Sequence, residues 1–355
     1  MTSHLFRPLT LRGMTFSNRV WVAPMCQYSA TDGVASSWHM QHLGALATGR
    51  PGLIITEAAA VSPEGRITQG CLGLWTDEQA EALAPIVEFI HGQGVPIAVQ
   101  LAHSGRKGST WSPWTGVGAV DAADGGWQTI APSPIAFSDW PEPCEMTETD
   151  IASVTKAFAD AARRAVAVGV DTVELHSAHG YLMHEFLSPL SNQRTDGYGG
   201  SLANRMRFPL EVIDAVRAAL PDDRPLLMRV SGTDWVEGGW DIEQTVIFAR
   251  EAQARGVDLV DLSSAGLHHE QNIPFARGYQ VPFSARVRKE VGVPTGAVGL
   301  IIEPEQAEAI LADGEADVVL IGRAMLRQPH WPLLAAHALG EQVEWPPQYE
   351  KGRPH

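Results

Sequence analysis

Cysteine is scarce in this 355-residue chain, which has only Cys26, Cys71 and Cys144. An odd number without a C-x-x-C spacing argues against a disulfide framework or a cysteine-rich zinc site and points to a reducing, cytoplasmic compartment. Long apolar runs are missing as well. The most apolar stretch, Leu53 to Val61, is interrupted by Glu57, far short of the ~20 residues that cross a bilayer, so no membrane span is expected. The opening residues Met1 to Pro8 hold no continuous apolar segment, so no secretory signal is expected. Basic charge is also short: 26 Lys and Arg against 41 Asp and Glu leave a formal charge of −15. That is the wrong balance for a nucleic-acid partner. Common catalytic signatures are absent too: no G-x-x-x-x-G-K-[ST] loop, no G-x-S-x-G elbow and no H-E-x-x-H helix. The nearest G-x-G, Gly116-Val117-Gly118, follows no strand, so a nicotinamide would not be held by a Rossmann turn.

What the chain does have is regular alternation. Short apolar runs occur at Val20–Pro24, Leu53–Thr56, Pro96–Leu101, Thr172–Leu175, Leu226–Val230, Leu259–Leu262, Val293–Val298 and Val318–Ile321, each bounded by Gly, Pro or Asp. They read as buried parallel strands. Helical patterns lie between them: Trp38–Gly49, Thr76–Gly94, Thr147–Gly169, Leu202–Leu220, Asp241–Gly256, Pro282–Val291, Pro304–Asp313 and Trp331–Gly340. Several open on hydroxyl or acidic residues and stop at glycine, as capped helices do. Eight strands alternating with eight helices predict an α/β protein of the (β/α)8 barrel type, with an open doubly wound sheet as the structural alternative. One domain spanning 1–355 is expected. Leu5 to Asn18 reads as an N-terminal hairpin turning at Arg12-Gly13 and capping the bottom of the barrel. The long excursion 103–146 follows strand three and carries four tryptophans (Trp111, Trp114, Trp127, Trp140), so an ordered lid over the C-terminal face is expected. Residues 341–355 form a C-terminal tail.

Barrel chemistry sits at strand C-termini. Strand one ends Pro24-Met25-Cys26-Gln27-Tyr28, strand three carries Gln100, strand five Arg229, strand seven ends at Gly299 and strand eight at Gly322-Arg323. Glycines beside an arginine after strands seven and eight are a phosphate-site layout. A charge such as Arg229 inside a barrel requires a partner or ligand. Strand four ends His176-Ser177-Ala178-His179-Gly180-Tyr181. Two imidazoles and a phenol there can hold a carbonyl or anionic oxygen and supply a proton. The same histidines also suit a metal-dependent barrel hydrolase or aldolase, although two ligands are few.

Taken together, Asn18-Arg19, Pro24 to Tyr28, Gln100 to Arg106 and His176 to Tyr181 carry a resemblance, continued by Phe186 to Pro189, Asn192, Arg194 to Asp196, Tyr198 to Ser201 and Asn204-Arg205. Across essentially its whole length the sequence resembles the old yellow enzymes, FMN-dependent ene-reductases, and within them a bacterial thermophilic-like subclass. The resemblance implies tightly but non-covalently bound FMN and ping-pong reduction of activated alkenes by NADPH or NADH, without a metal. It implies that Ala23, Pro24, Met25, Cys26 and Ala59 line the flavin. Gln100 and Arg229 would contact its pyrimidine side, and Gly299, Gly322 and Arg323 its phosphate. His176 and His179 would bind the substrate oxygen, Tyr181 would donate the proton, Tyr28 would help bind substrate and Cys26 would tune the cofactor. It also implies a homodimer or homotetramer. In this subclass a tail arginine reaches a neighbouring site; here the tail reads Gln348-Tyr349-Glu350-Lys351-Gly352-Arg353. Lys351 takes that place, without a planar bidentate contact.

Overall fold

A computed structural model describes residues 3–354; Met1, Thr2 and His355, the ends of the expected domain and tail, lie outside the described residues. Among the described residues, eight parallel strands close into a barrel in chain order, Val319 pairing with Val20 to seal it. The strands are Val20–Val22, Leu53–Ala60, Ile97–Ala102, Thr172–Ser177, Leu226–Ser231, Leu259–Ser263, Thr295–Ala297 and Val318–Ile321. The expected boundaries hold within a few residues except in strand two, which continues past a register shift between Ile55 and Ala58. Strand four runs on to Ser177, so His176 lies on the strand itself. The expected helix starts are capped as their residue types predicted. Thr76 exchanges hydrogen bonds with Gln79, Thr147 does so with Asp150, and Asp241 accepts from the Gln244 N–H.

Side chains alternate along each strand, so the barrel interior is filled in layers. The lower interior is apolar: Trp21, Leu53, Ile55, Ala98, Leu227, Leu259, Val318 and Leu320 form one cluster with Leu11 and Phe16. The last two come from the hairpin of Leu9–Leu11 and Met14–Phe16, turned at Arg12, which closes the bottom. Two residues further along three of those strands the interior turns polar with Gln100, Arg229 and Asp261, joined by Glu174 on strand four. A separate, larger apolar cluster packs the outer faces of the strands against the helices.

Two short helices, Leu182–Leu187 after strand four and Arg323–Arg327 after strand eight, were not expected. All six residues of the first are buried, so it lacks the polar face that marks a helix in sequence. Within the excursion 103–146 a two-residue ladder pairs Ile130–Ala131 with Cys144–Glu145. Trp127 also donates to the Glu64 carbonyl, and the Arg66 guanidinium lies 4.9 Å from the Trp127 ring centroid and 5.5 Å from that of Trp75.

Candidate active site at the barrel mouth

The polar interior layer forms the floor of the mouth. The strand register sets Gln100 beside Glu174 and places Arg229 between His176 and Asp261. The Gln100 amide donates to Glu174 at 2.7 Å, and Arg229 Nε donates to Asp261 Oδ2. Glu174 and Asp261 are fully buried and Arg229 is 4% exposed. Burial pushes both carboxyls up, and the Arg229 charge opposes this. The partner required for Arg229 is thus Asp261. Sequence reasoning passed over it, although an acid at an interior position of a buried strand is a readable signal. Arg229 Nη2 lies against the same carboxylate oxygen but has hydrogen-bond geometry to no acceptor among the described residues. A buried guanidinium with an unused donor fits an acceptor-rich ligand above it.

Strand four delivers the next layer. His176 Nδ1 accepts from the Ala178 N–H, so the neutral ring carries its proton on Nε2, which faces His179 Nδ1 at 3.3 Å. His179 Nε2 reaches Ser263 Oγ at 2.7 Å. Burial, then the Arg229 charge, holds His176 well below the usual imidazole range; burial, then His176, does the same to His179. Both rings are therefore neutral near pH 7. The edge of Tyr181 meets His176 with ring centroids 5.0 Å apart. No third His, Cys, Asp or Glu among the described residues joins this pair within metal-binding reach.

The turn carrying these residues is strained and clamped. His179 has φ 61° and Gly180 φ 71°, backbone that costs a non-glycine residue about 1–3 kcal/mol. A Cβ on Gly180 would stand 2.2 Å from the Gly266 carbonyl oxygen, in the loop after strand six. Gly180 also donates its N–H to His184 Nδ1 at 2.9 Å, and the far nitrogen of that ring faces Asp234. Gly180→Ala is expected to destabilise the fold by more than ~1–3 kcal/mol and to displace the histidines. An unchanged denaturation midpoint in urea would disprove the close backbone approach.

Strand one supplies the opposite wall. Glu57 accepts from the Gln27 N–H and meets His39 Nε2, both at 3.0 Å, which anchors the segment Pro24–Tyr28 from below. Tyr28, at φ 48°, meets Trp114 of the excursion with the rings tilted by 59° and centroids 5.9 Å apart. Cys26 lies within interaction range of Tyr28 and Tyr181. The residue as a whole is half-buried, yet desolvation, then Cys71 and Glu57, pushes the thiol above its ordinary range. Cys26 is thus a thiol, suited to a contact role and not to nucleophilic attack.

Strands seven and eight end at a cavity of about 170 Å³ lined by Val298 to Ile302, Leu320, Gly322, Arg323, Ala324 and Arg327. Gly299 has φ 115°, reachable only without a side chain. A Cβ on Gly322 would sit 3.5 Å from Met25 Sδ and 3.8 Å from Ala23 Cβ, so this corner adjoins the wall made by strand one. Main-chain donors without side chains beside an arginine fit a phosphate. Not every expected residue faces the mouth. Ala59 packs into the outer cluster, leaving only its backbone for a ligand. Lys351 is exposed in the turn Pro347–Gly352, whose Tyr349 packs on His330, with ring centroids 4.9 Å apart.

The sequence description of the NADH:flavin oxidoreductase / NADH oxidase family matches residues 4–342. An NADPH dehydrogenase of Geobacillus thermodenitrificans is 46% identical over 355 residues, covering 99% of both chains. An NADPH dehydrogenase of Bacillus subtilis is 44% identical over 355 residues, covering 99% of this chain and 100% of its own. Among solved structures, morphinone reductase in complex with tetrahydroNAD matches with a TM-score of 0.79 at 30% identity, over 98% of this chain and 96% of that one.

Proposed function

The chain belongs to the NADH:flavin oxidoreductase / NADH oxidase family, and from that premise we propose that its barrel mouth binds FMN on the Arg229 floor and reduces alkenes activated by a carbonyl, imide or nitro group. It is an FMN-dependent NAD(P)H oxidoreductase of the ene-reductase type. The observation that carries the site assignment is the meeting of three features at one mouth: the Arg229 floor with its unused donor, the neutral His176–His179 pair beside Tyr181, and the glycine–arginine corner at Gly299, Gly322 and Arg323.

Gln100, Arg229 and the backbone from Ala23 to Cys26 would hold the flavin ring, and Gly299, Gly322 and Arg323 its phosphate. Bound FMN supplies the hydride chemistry, taking hydride from NAD(P)H and giving it to the alkene. The residues do the rest. His176 and His179, as neutral rings, would turn their Nε2–H groups away from His179 Nδ1 and Ser263 Oγ and toward the activating oxygen, drawing charge to it without a proton equilibrium near pH 7. Tyr181 stays protonated because burial raises its phenol, so it acts as an acid toward the α carbon. Tyr28 and Trp114 shape the apolar side. The metal-dependent reading loses to this one because it leaves the Arg229 floor and the phosphate corner unused.

Rapid-mixing measurement of the two half-reactions with enones, maleimides and nitroalkenes tests the reading. Alkene-dependent reoxidation must follow NAD(P)H-dependent bleaching, and bleaching without reoxidation by any of these would refute it. His176→Ala is expected to weaken binding of phenol ligands at least tenfold, since a buried donor aimed at an oxyanion is lost; unchanged affinity would remove His176 from oxygen binding. We also propose a homodimer or homotetramer in a reducing, cytoplasmic setting. The exposed turn bearing Lys351, followed by Arg353, and the three unpaired cysteines support this reading. No helix among the described residues is long and apolar enough to cross a membrane.

A further inference from the structure

Lys107 opens the excursion, and its ammonium is enclosed. It donates to the His179 carbonyl at 2.9 Å and to the Gly266 carbonyl at 2.6 Å. The two loops it joins are those whose glycines touch: a Cβ on Gly266 would stand 2.4 Å from the His179 carbonyl oxygen. The same ammonium lies 5.1 Å from the centroid of the Tyr181 ring and 4.8 Å from that of Phe137. Among the described residues, no ion pair joins it to a carboxylate. The charged and titratable groups around it are Glu185, Arg106, His176, His179 and Tyr181. Carbonyl dipoles and ring faces thus carry a charge that most proteins would leave in water.

We propose that Lys107 is the positioning residue for proton donation by Tyr181: its ammonium ties the strand-four and strand-six loops together and steadies the negative charge left on the phenol oxygen. The inference rests on the reading of Tyr181 as proton donor. In that step the Tyr181 O–H bond breaks and a C–H bond forms at the α carbon, while the β carbon has received the hydride that originated in NAD(P)H; solvent then returns a proton to the phenolate. A cation at a ring face favours the phenolate over the phenol, and it helps only while it stays charged. Desolvation brings the Lys107 ammonium down to about 8, with Glu185 opposing and Arg106 reinforcing the shift.

The experiment measures each half-reaction from pH 6.5 to 9.5 in the holoenzyme and in K107M, K107R, E185Q and Y181F. The wild-type alkene step should fall roughly tenfold across a limb near pH 8 while NAD(P)H-dependent bleaching stays flat. K107M should be slow by the same factor at pH 7 and lack the limb. K107R, which stays charged throughout, should lose the limb and keep most of the rate. Burial makes Glu185 titrate near the same pH, so E185Q must retain the limb. A second readout is thermal: the unfolded chain binds more protons than the folded one between the depressed and the ordinary lysine pKa, so wild-type stability gains over K107M as pH rises through that window. A limb that survives in K107M, or in K107R should K107M not fold, overturns the proposal; so does a limb lost in E185Q, or a flat wild-type profile. If Y181F slows the alkene step while K107M behaves as wild type, only the role of Lys107 falls. If Y181F slows neither half, the proton-donor reading beneath it falls.

Discussion

Tyr181→Phe slows alkene reduction by roughly 10²–10⁴-fold, the usual worth of a well-placed general acid, and leaves bleaching by NAD(P)H within about twofold. The asymmetry follows from what each half-reaction demands. Hydride transfer from a nicotinamide needs no proton delivered to carbon. Reduction of a C=C bond needs one at the α position, on the face that the protein presents. Tyr181 is held to that task by its backbone. The Leu182 N–H donates to the His103 carbonyl and the Glu185 N–H to the Tyr181 carbonyl, so the residue opens a buried helix whose start is tied to strand three. Removing one oxygen leaves the ring and its contact with His176 in place. A loss confined to the alkene step would therefore report the proton alone. Equal slowing of both halves would mean that the phenol shapes the shared pocket instead.

Arg229→Met is the second large effect, and it falls on stability and flavin content together. Breaking a buried ion pair from one side typically costs about 3–5 kcal/mol, because the remaining charge is stranded. Here two carboxyls are stranded, Asp261 and Glu174, both fully buried. Without the cation their folded-state pKa values rise further. The folded chain then binds more protons than the unfolded one, so stability is recovered as pH falls and lost as it rises. R229M should thus purify with little flavin, melt well below the parent at pH 8, and close part of that gap at pH 6. R229M/D261N should recover part of the stability but not the flavin. A variant that keeps full flavin and parental stability would show that the floor is neither a charge pair nor a cofactor contact.

Much of this was legible locally. The eight apolar runs, the caps at Thr76, Thr147 and Asp241 and the glycine stops rest on interactions within a few residues, so strand and helix order could be read directly. The barrel then follows from alternation, and with it the rule that chemistry collects at strand ends. Gln100, His176, Tyr181 and Arg229 could be selected on that rule before any contact was known. The short buried helices could not, because a fully enclosed turn shows no amphipathic period. The resemblance sets Ala59 at the flavin; the register shift in strand two turns its methyl toward the helices and leaves its backbone to face a ligand.

Sequence by itself determined the repeating αβ order, the polarity of each strand end and the net charge of −15. Only the tertiary structure decided that Arg229 is neutralised by Asp261, 32 positions later, and that Lys107 reaches a carbonyl 159 positions away. The reason is physical. Helices and strands are selected by neighbours in the chain, whereas the charge state of a buried group is set by whichever distant segments closure of the barrel brings against it.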